Sequence, residues 1–205
     1  ELFRLNNNLL LIALAAVVTQ QVSTLVLGSS NLITDVAVFS LAVKITALLG
    51  FVIIAINSIT APQYAQLFSN NQLTEFWALF KQSRKILTIS GLLLAIVLMV
   101  LTPVVTSFLD NGYSNLPLIV AILLVGQLAN LMTGSVVNIL VMTNHDAIHR
   151  KNTFFISLLN VVLVITFIPM FGIIAAAVIM SLTMLVKNLV SLYYVQRLID
   201  NPGKA

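Results

Sequence analysis

The sequence predicts an all-α integral membrane protein with six transmembrane helices and an amphipathic helix between the second and third. Three observations carry that prediction. Hydrophobic residues fill 60% of the 205 positions, charged residues only 8%, and mean hydropathy is +1.07, whereas soluble domains carry about 25% charged residues. The apolar positions gather into runs long enough to cross ~30 Å of hydrocarbon, which takes roughly 20 helical residues. Apart from Lys44 and Lys187, lysine and arginine fall only at alternate connections between those runs and at the chain ends.

The first run is 9–27, "LLLIALAAVVTQQVSTLVL". The second, 36–60, is followed by Pro62, which is expected to end or kink the helix because the ring restricts the residue before it. The third is 86–109, with Pro103 near its end, and the fourth is 117–143. The fifth, 153–171, closes on "PMFG", and the sixth, 172–198, follows with almost no loop. Those two are expected to form a tight antiparallel hairpin. Each run is about twice as long as a barrel strand and lacks alternation, which leaves helices as the spanning structure. In "QLTEFWALFKQSRK", Leu73, Phe76, Trp77 and Phe80 recur at i, i+3, i+4 and i+7. The spacing predicts an interfacial helix over about 72–84 in the cytoplasmic headgroup region, with Trp77 as anchor.

Charge then orients the spans. Arg4 precedes the first; Lys81, Arg84 and Lys85 lie between the second and third. Arg150 and Lys151 separate the fourth and fifth, and Arg197 and Lys204 follow the sixth. The opposite connections, "GSSNLITD", "DNGYSN" and "PMFG", hold only Asp35 and Asp110. The positive-inside rule makes the basic face cytoplasmic and puts both ends of the chain there. The chain starts at Glu1 with no signal peptide before the first run. Residues 1–205 are therefore expected to be a single six-helix lobe of a longer protein whose N-terminal lobe lies outside this sequence. The absence of cysteine removes disulfides, thiolate chemistry and thiolate metal sites.

Polar residues within the spans point toward function. A lysine at a helix centre costs about 2.5–3.5 kcal/mol on insertion scales, so it persists only with compensation. Lys44 lies roughly 13 Å along the helix from Asp35, on a face with Ala37, Ser40, Ala47, Ala55 and Ser58, and with Phe51 as its one large member. That stripe fits a packed interface or a watery cavity. Lys187 shares a face with Met180, Thr183 and Ser191, and being nearer the cytoplasmic end it could also snorkel. Gln127, Asn130, Gly134 and Asn138 occupy one arc of the fourth span, Gln20 and Thr24 one arc of the first, and Asn160 is in the fifth. Singly, amides are ordinary glue between membrane helices. Together with two lysines they predict a polar, net-positive interior, whose substrate-binding candidates are Lys44, Lys187, Gln20, Gln127, Asn130 and Asn138.

No carboxylate lies within a span. Proton- or sodium-coupled pumps usually use an intramembrane acid, which here is absent or belongs to the missing lobe; a positive interior without acids favours an anionic substrate, phosphate above all. His145 and His149 have a metal-compatible spacing around Asp146, yet no third strong ligand is near in sequence, and no metal or cofactor is expected. No phosphate-cradling glycine loop, nucleophile motif or nucleic-acid signature is present, so neither enzyme activity nor a nucleic-acid partner is indicated.

The order of these features resembles a known family. A span ending in "INSITAPQYAQLF" leads to the amphipathic helix, and "IPMFGIIAAAVIMSLTMLVKNLVSLYYVQRL" carries a P-x-F-G-I-x-A-A-A hairpin. Both are similar to the O-antigen and exopolysaccharide flippases of the MOP (MATE-like) superfamily, over essentially all 205 residues as the C-terminal six-helix lobe of a twelve-helix transporter. The resemblance implies alternating access around a central cavity in the bacterial inner membrane. It also implies movement of a lipid-linked oligosaccharide, undecaprenyl-pyrophosphate-type, from the cytoplasmic to the periplasmic leaflet, with Lys44 and Lys187 matching cavity cations that engage the substrate's charge. Two other readings stay open: a MATE-type cation-coupled drug or solute exporter, and a non-transport membrane scaffold.

Overall fold

The computed structural model describes residues 17, 21–29, 33–109, 111–143 and 146–200. Among them there is no strand. Helix α1 covers 21–29, α2 Ile33–Ser69, α3 Leu73–Ser107, α4 Leu116–Thr133, α5 Val136–Met142 and α6 Asp146–Asp200, with a short 3-10 turn at Asn111–Tyr113 before α4. Four helical stretches, Ile33–Ser69, Leu73–Ser107, Asn111–Thr133 and Ala147–Arg197, are long and apolar enough to cross a membrane. Of the first predicted run, Val17 and 21–27 are described, and all are helical.

Glycine rather than proline interrupts these helices. Pro62, Pro103 and Pro169 lie inside α2, α3 and α6; of the two outcomes expected at Pro62, an end or a kink, the end does not occur, since α2 continues to Ser69. It stops at Asn71, which takes the left-handed conformation (φ 55) typical of a helix C-terminus. The turn folds α3 back on α2, so that Tyr64 and Ser83 hydroxyls meet at 2.6 Å.

Gly172 makes the sharper reversal. Its φ of 59 with ψ of −143 is a combination that side-chain-bearing residues rarely adopt. In a straight helix Asn152 and Ser191 would stand ~58 Å apart; instead Asn152 Nδ2 donates to Ser191 Oγ at 3.0 Å. Asn160 Nδ2 likewise reaches Thr183 Oγ1 at 2.9 Å. The two arms of α6 thus run antiparallel, as the missing loop between the fifth and sixth runs predicts.

Two expectations need correction. The fourth run, 117–143, is not one helix, because Gly134 (φ 79) and Ser135 break it into α4 and α5. The segment 72–84 is not an element of its own, because it forms the first turns of α3 without interruption. Its apolar face meets protein. Phe76 and Phe80 are buried with Tyr64, Val136, Ile139, Leu140 and Val195 in a cluster at the basic end. Trp77 is half-buried with its ring edge-on to Phe80.

The main core joins α2, α3, α4 and α6. The tightest approach is α4 to α6, where a Cβ on Gly126 would lie 2.8 Å from the Ser181 Cα. Ser181 Oγ crosses that gap to donate to the Ile122 carbonyl at 2.7 Å. Small residues that let backbones approach, sealed by a hydroxyl, are the usual means of packing helices where no water drives them together. Outward faces stay apolar: Leu93, Val100, Phe155 and Ile165 are all more than half exposed. Such a belt is far larger than soluble monomers leave uncovered and fits a membrane location.

Candidate functional site

A cavity of about 430 Å³ opens between α2, α4, α5 and the two arms of α6. Each element delivers polar groups for a local reason. The reversal at Gly172 brings Thr153 and Ser157 on the first arm beside Thr183, Lys187 and Asn188 on the second. From α4 come Gln127 and Asn130, and from α5 comes Asn138. The break between those helices is tied on two sides. Ser135 Oγ donates to Asn57 Oδ1 on α2 at 2.6 Å, and Arg84 Nε on α3 donates to the Met132 carbonyl. Interrupted backbone at membrane depth is tolerated where it lines a cavity and its polar groups find partners.

Four sequence-predicted residues therefore come together: Gln127, Asn130, Asn138 and Lys187. Lys44 does not join them. It is exposed on the outer surface of α2, although Val43 and Ala47 beside it do line the cavity. Lys44 is about 100° around the helix from Val43 and about 60° from Ala47, so it stands at the rim of the cavity without being among its lining residues. Gln20 lies outside the described residues. Asn160, read as a span-five amide, is buried with its Nδ2 spent on Thr183.

Among the described residues that line the cavity, Lys187 alone is charged and none is a carboxylate. Its backbone is pinned to the opposite arm, because the Lys187 carbonyl accepts from Asn152 Nδ2 at 3.0 Å; Ser191 Oγ, one turn on in the same arm, donates to it as well at 2.9 Å. A fixed backbone thus holds this lysine in the cavity wall. Among the described residues no three of His, Cys, Asp and Glu cluster as a metal site would require. His149 is buried on the first arm and His145 lies outside the described residues.

Sequence reasoning missed Asn57, Thr153, Ser157 and Asn188. Asn57 follows Lys44 by thirteen residues, which is about 220° around the helix, so a search along the Lys44 face passes it by. An amide inside a long apolar run was the available signal. Comparison of the chain with protein-family models, with curated proteins and with solved structures finds no match.

Proposed function

We propose that the chain is a six-helix lobe of a flippase that moves an anionic lipid-linked oligosaccharide, undecaprenyl-pyrophosphate-type, from the cytoplasmic to the periplasmic leaflet. In this reading the six spans are the first apolar run, α2, α3, α4 with α5, and the two arms of α6, and the basic end faces the cytoplasm. The observation that carries it is a polar cavity with Lys187 as its cation and no carboxylate among its described lining residues, inside a bundle whose outer faces are apolar.

Each part has a physical task. A cation in a low-dielectric cavity offsets the cost of withdrawing a phosphate charge from water. Amides and hydroxyls replace water around sugar hydroxyls, while the lipid tail stays against the apolar belt. The exposed face of α2 with Lys44, Phe51 and Ala55 would meet the N-terminal lobe across the central path. A cation-coupled exporter would call for an acid that the lining residues do not supply.

The test uses the full-length protein in cells. Lys44→Glu and Lys187→Glu should each stop surface glycan output at normal membrane abundance, and the arginine variants should be milder. Wild-type output from both glutamate variants would overturn the assignment.

A further inference from the structure

We propose that an outer groove between the first turns of α3 and the end of α6 binds one phospholipid with an anionic headgroup. Its phosphate lies against Lys81, and its chains follow the apolar faces that run on from the groove. The inference rests on the membrane location and not on the flippase reading.

Thr74, Trp77, Ala78 and Lys81 line the groove from α3 and Gln196 lines it from α6, around a volume of about 660 Å³. The four α3 residues recur at i, i+3, i+4 and i+7, which is one face of a helix. Phe76 and Phe80 turn to the other side, into the cluster that also takes Val195. Inner faces thus hold the two helix ends together, and the groove is what their outer faces leave. On α6, Gln196 stands about 180° around the helix from Lys187, so groove and cavity open on opposite sides of that arm.

Depth identifies the kind of occupant. Lys81 comes just before residue 86, where the third apolar run begins, and Gln196 just before 198, where the sixth ends. The groove therefore lies at the boundary of hydrocarbon and headgroups, the level at which tryptophan and tyrosine gather in membrane proteins. The chain's one tryptophan, Trp77, is in the groove, and Tyr193 and Tyr194 sit edge-on to each other within a turn of Gln196.

Charge selects the headgroup. Lys81 is exposed, and Lys85, one turn further and also exposed, lies about 40° from it around the helix. No carboxylate is among the described lining residues, and Glu75 stands about 120° from Lys81 around α3. The Thr74 hydroxyl and the Gln196 amide add donors for phosphate or glycerol oxygens. A soluble anion would need only these groups. A lipid also needs a track for its chains, and both helices supply one. Leu92 and Met99 fall within about 20° of Lys81 around α3, and Leu189 and Leu182 within about 40° of Gln196 around α6. All four are half exposed. Leu92 is roughly 17 Å beyond Lys81 and Leu182 roughly 21 Å beyond Gln196, enough to follow the ~15 Å of hydrocarbon in one leaflet.

Full-length protein in mild detergent is titrated with phosphatidylglycerol or phosphatidylcholine, and the lipids retained per protein are counted by native mass spectrometry. Wild type should retain one phosphatidylglycerol about fivefold more readily than phosphatidylcholine, the preference that one lysine near an anionic surface supplies. Lys81→Gln should bring the two lipids within about twofold of each other, and Lys81→Arg should keep the preference. Lys44→Gln, which removes an exposed cation from α2, should leave it unchanged. Trp77→Leu should weaken retention of both lipids. Brominated phosphatidylglycerol should quench the fluorescence difference between wild type and Trp77→Phe, which reports Trp77 alone and serves if Trp77→Leu fails to fold. The inference falls if wild type retains the two lipids equally, if Lys81→Gln keeps the preference, or if Lys44→Gln removes it. It also falls if inorganic phosphate at matched ionic strength displaces the lipid, which would make the groove a site for a soluble anion. Altered numbers of chains per particle in the Lys81 and Trp77 variants, at unchanged lipid retention, would make the groove a protein contact and overturn the inference too. Glycan output unaffected by Lys44→Glu and Lys187→Glu, with lipid retention intact, would remove the transport reading and leave this site standing.

Discussion

Lys44 in α2 and Lys187 in the second arm of α6 both interrupt apolar helices, and both carry small or hydroxyl residues on their own face. Their surroundings differ. Lys187 faces a polar cavity from a backbone clamped by Asn152 and Ser191, whereas Lys44 stands exposed beside that cavity. A small-residue stripe marks a face that meets something other than lipid tails; it does not say whether that something lies within the lobe or beyond it. Lys187 has its environment built by this chain. Lys44 has one only if another surface covers α2.

The strongest way to break the comparison is to remove the reversal that carries Lys187 inward. Gly172→Val places a β-branched side chain at φ 59, ψ −143, with strain of about 1–3 kcal/mol and loss of the arm pairing. Membrane abundance and thermal stability should fall sharply, and Lys187 should become open to aqueous amine labels. Next comes Gly126→Val, whose added Cβ would lie 2.8 Å from the Ser181 Cα. Overpacking there is expected to cost up to about 3 kcal/mol and to part α4 from α6, read as a lowered melting temperature in detergent.

Charge reversal sharpens the contrast without touching the packing. Lys187→Glu should abolish glycan output at normal membrane abundance, through a cavity wall that this chain builds. Lys44→Glu should abolish it through the surface that covers α2 in the full-length protein. The smallest effect belongs to Asn152→Leu, which removes two hydrogen bonds between the arms. Hydrogen bonds between membrane helices average about 0.6 kcal/mol each, so stability should drop by roughly 1 kcal/mol. The informative readout is Lys187, whose released backbone should lower glycan output more than stability.

Much of the fold is legible in the residues. Long apolar runs become helices, and the missing loop around Gly172 becomes a reversal, since "PMFG" leaves no room for another connection. The break at Gly134 is harder to read. Within a uniformly apolar run that glycine looks like one member of a packing stripe, and its conformation is held by Asn57 and Arg84, which lie far away in the chain. The amphipathic start of α3 misleads for a related reason. A face bearing Phe76 and Phe80 must be covered by something apolar, and periodicity cannot distinguish headgroups from Val136, Ile139 and Val195.

The candidate site divides along the same line. Gln127, Asn130, Asn138 and Lys187 could be named from one arc and one cation, but Asn57 and Thr153 could not, because their significance comes from the helices opposite them. By itself the sequence determined that the long apolar runs become helices and where along them the polar groups fall. Backbone hydrogen bonds in an apolar run close within a few residues, and hydropathy is a property of position along the chain. Only the tertiary structure decided which polar groups share a cavity, because that depends on the rotation of each helix against its neighbours and on the turn at Gly172. Lys187 was carried into the cavity by that turn, and Lys44 was left at its rim.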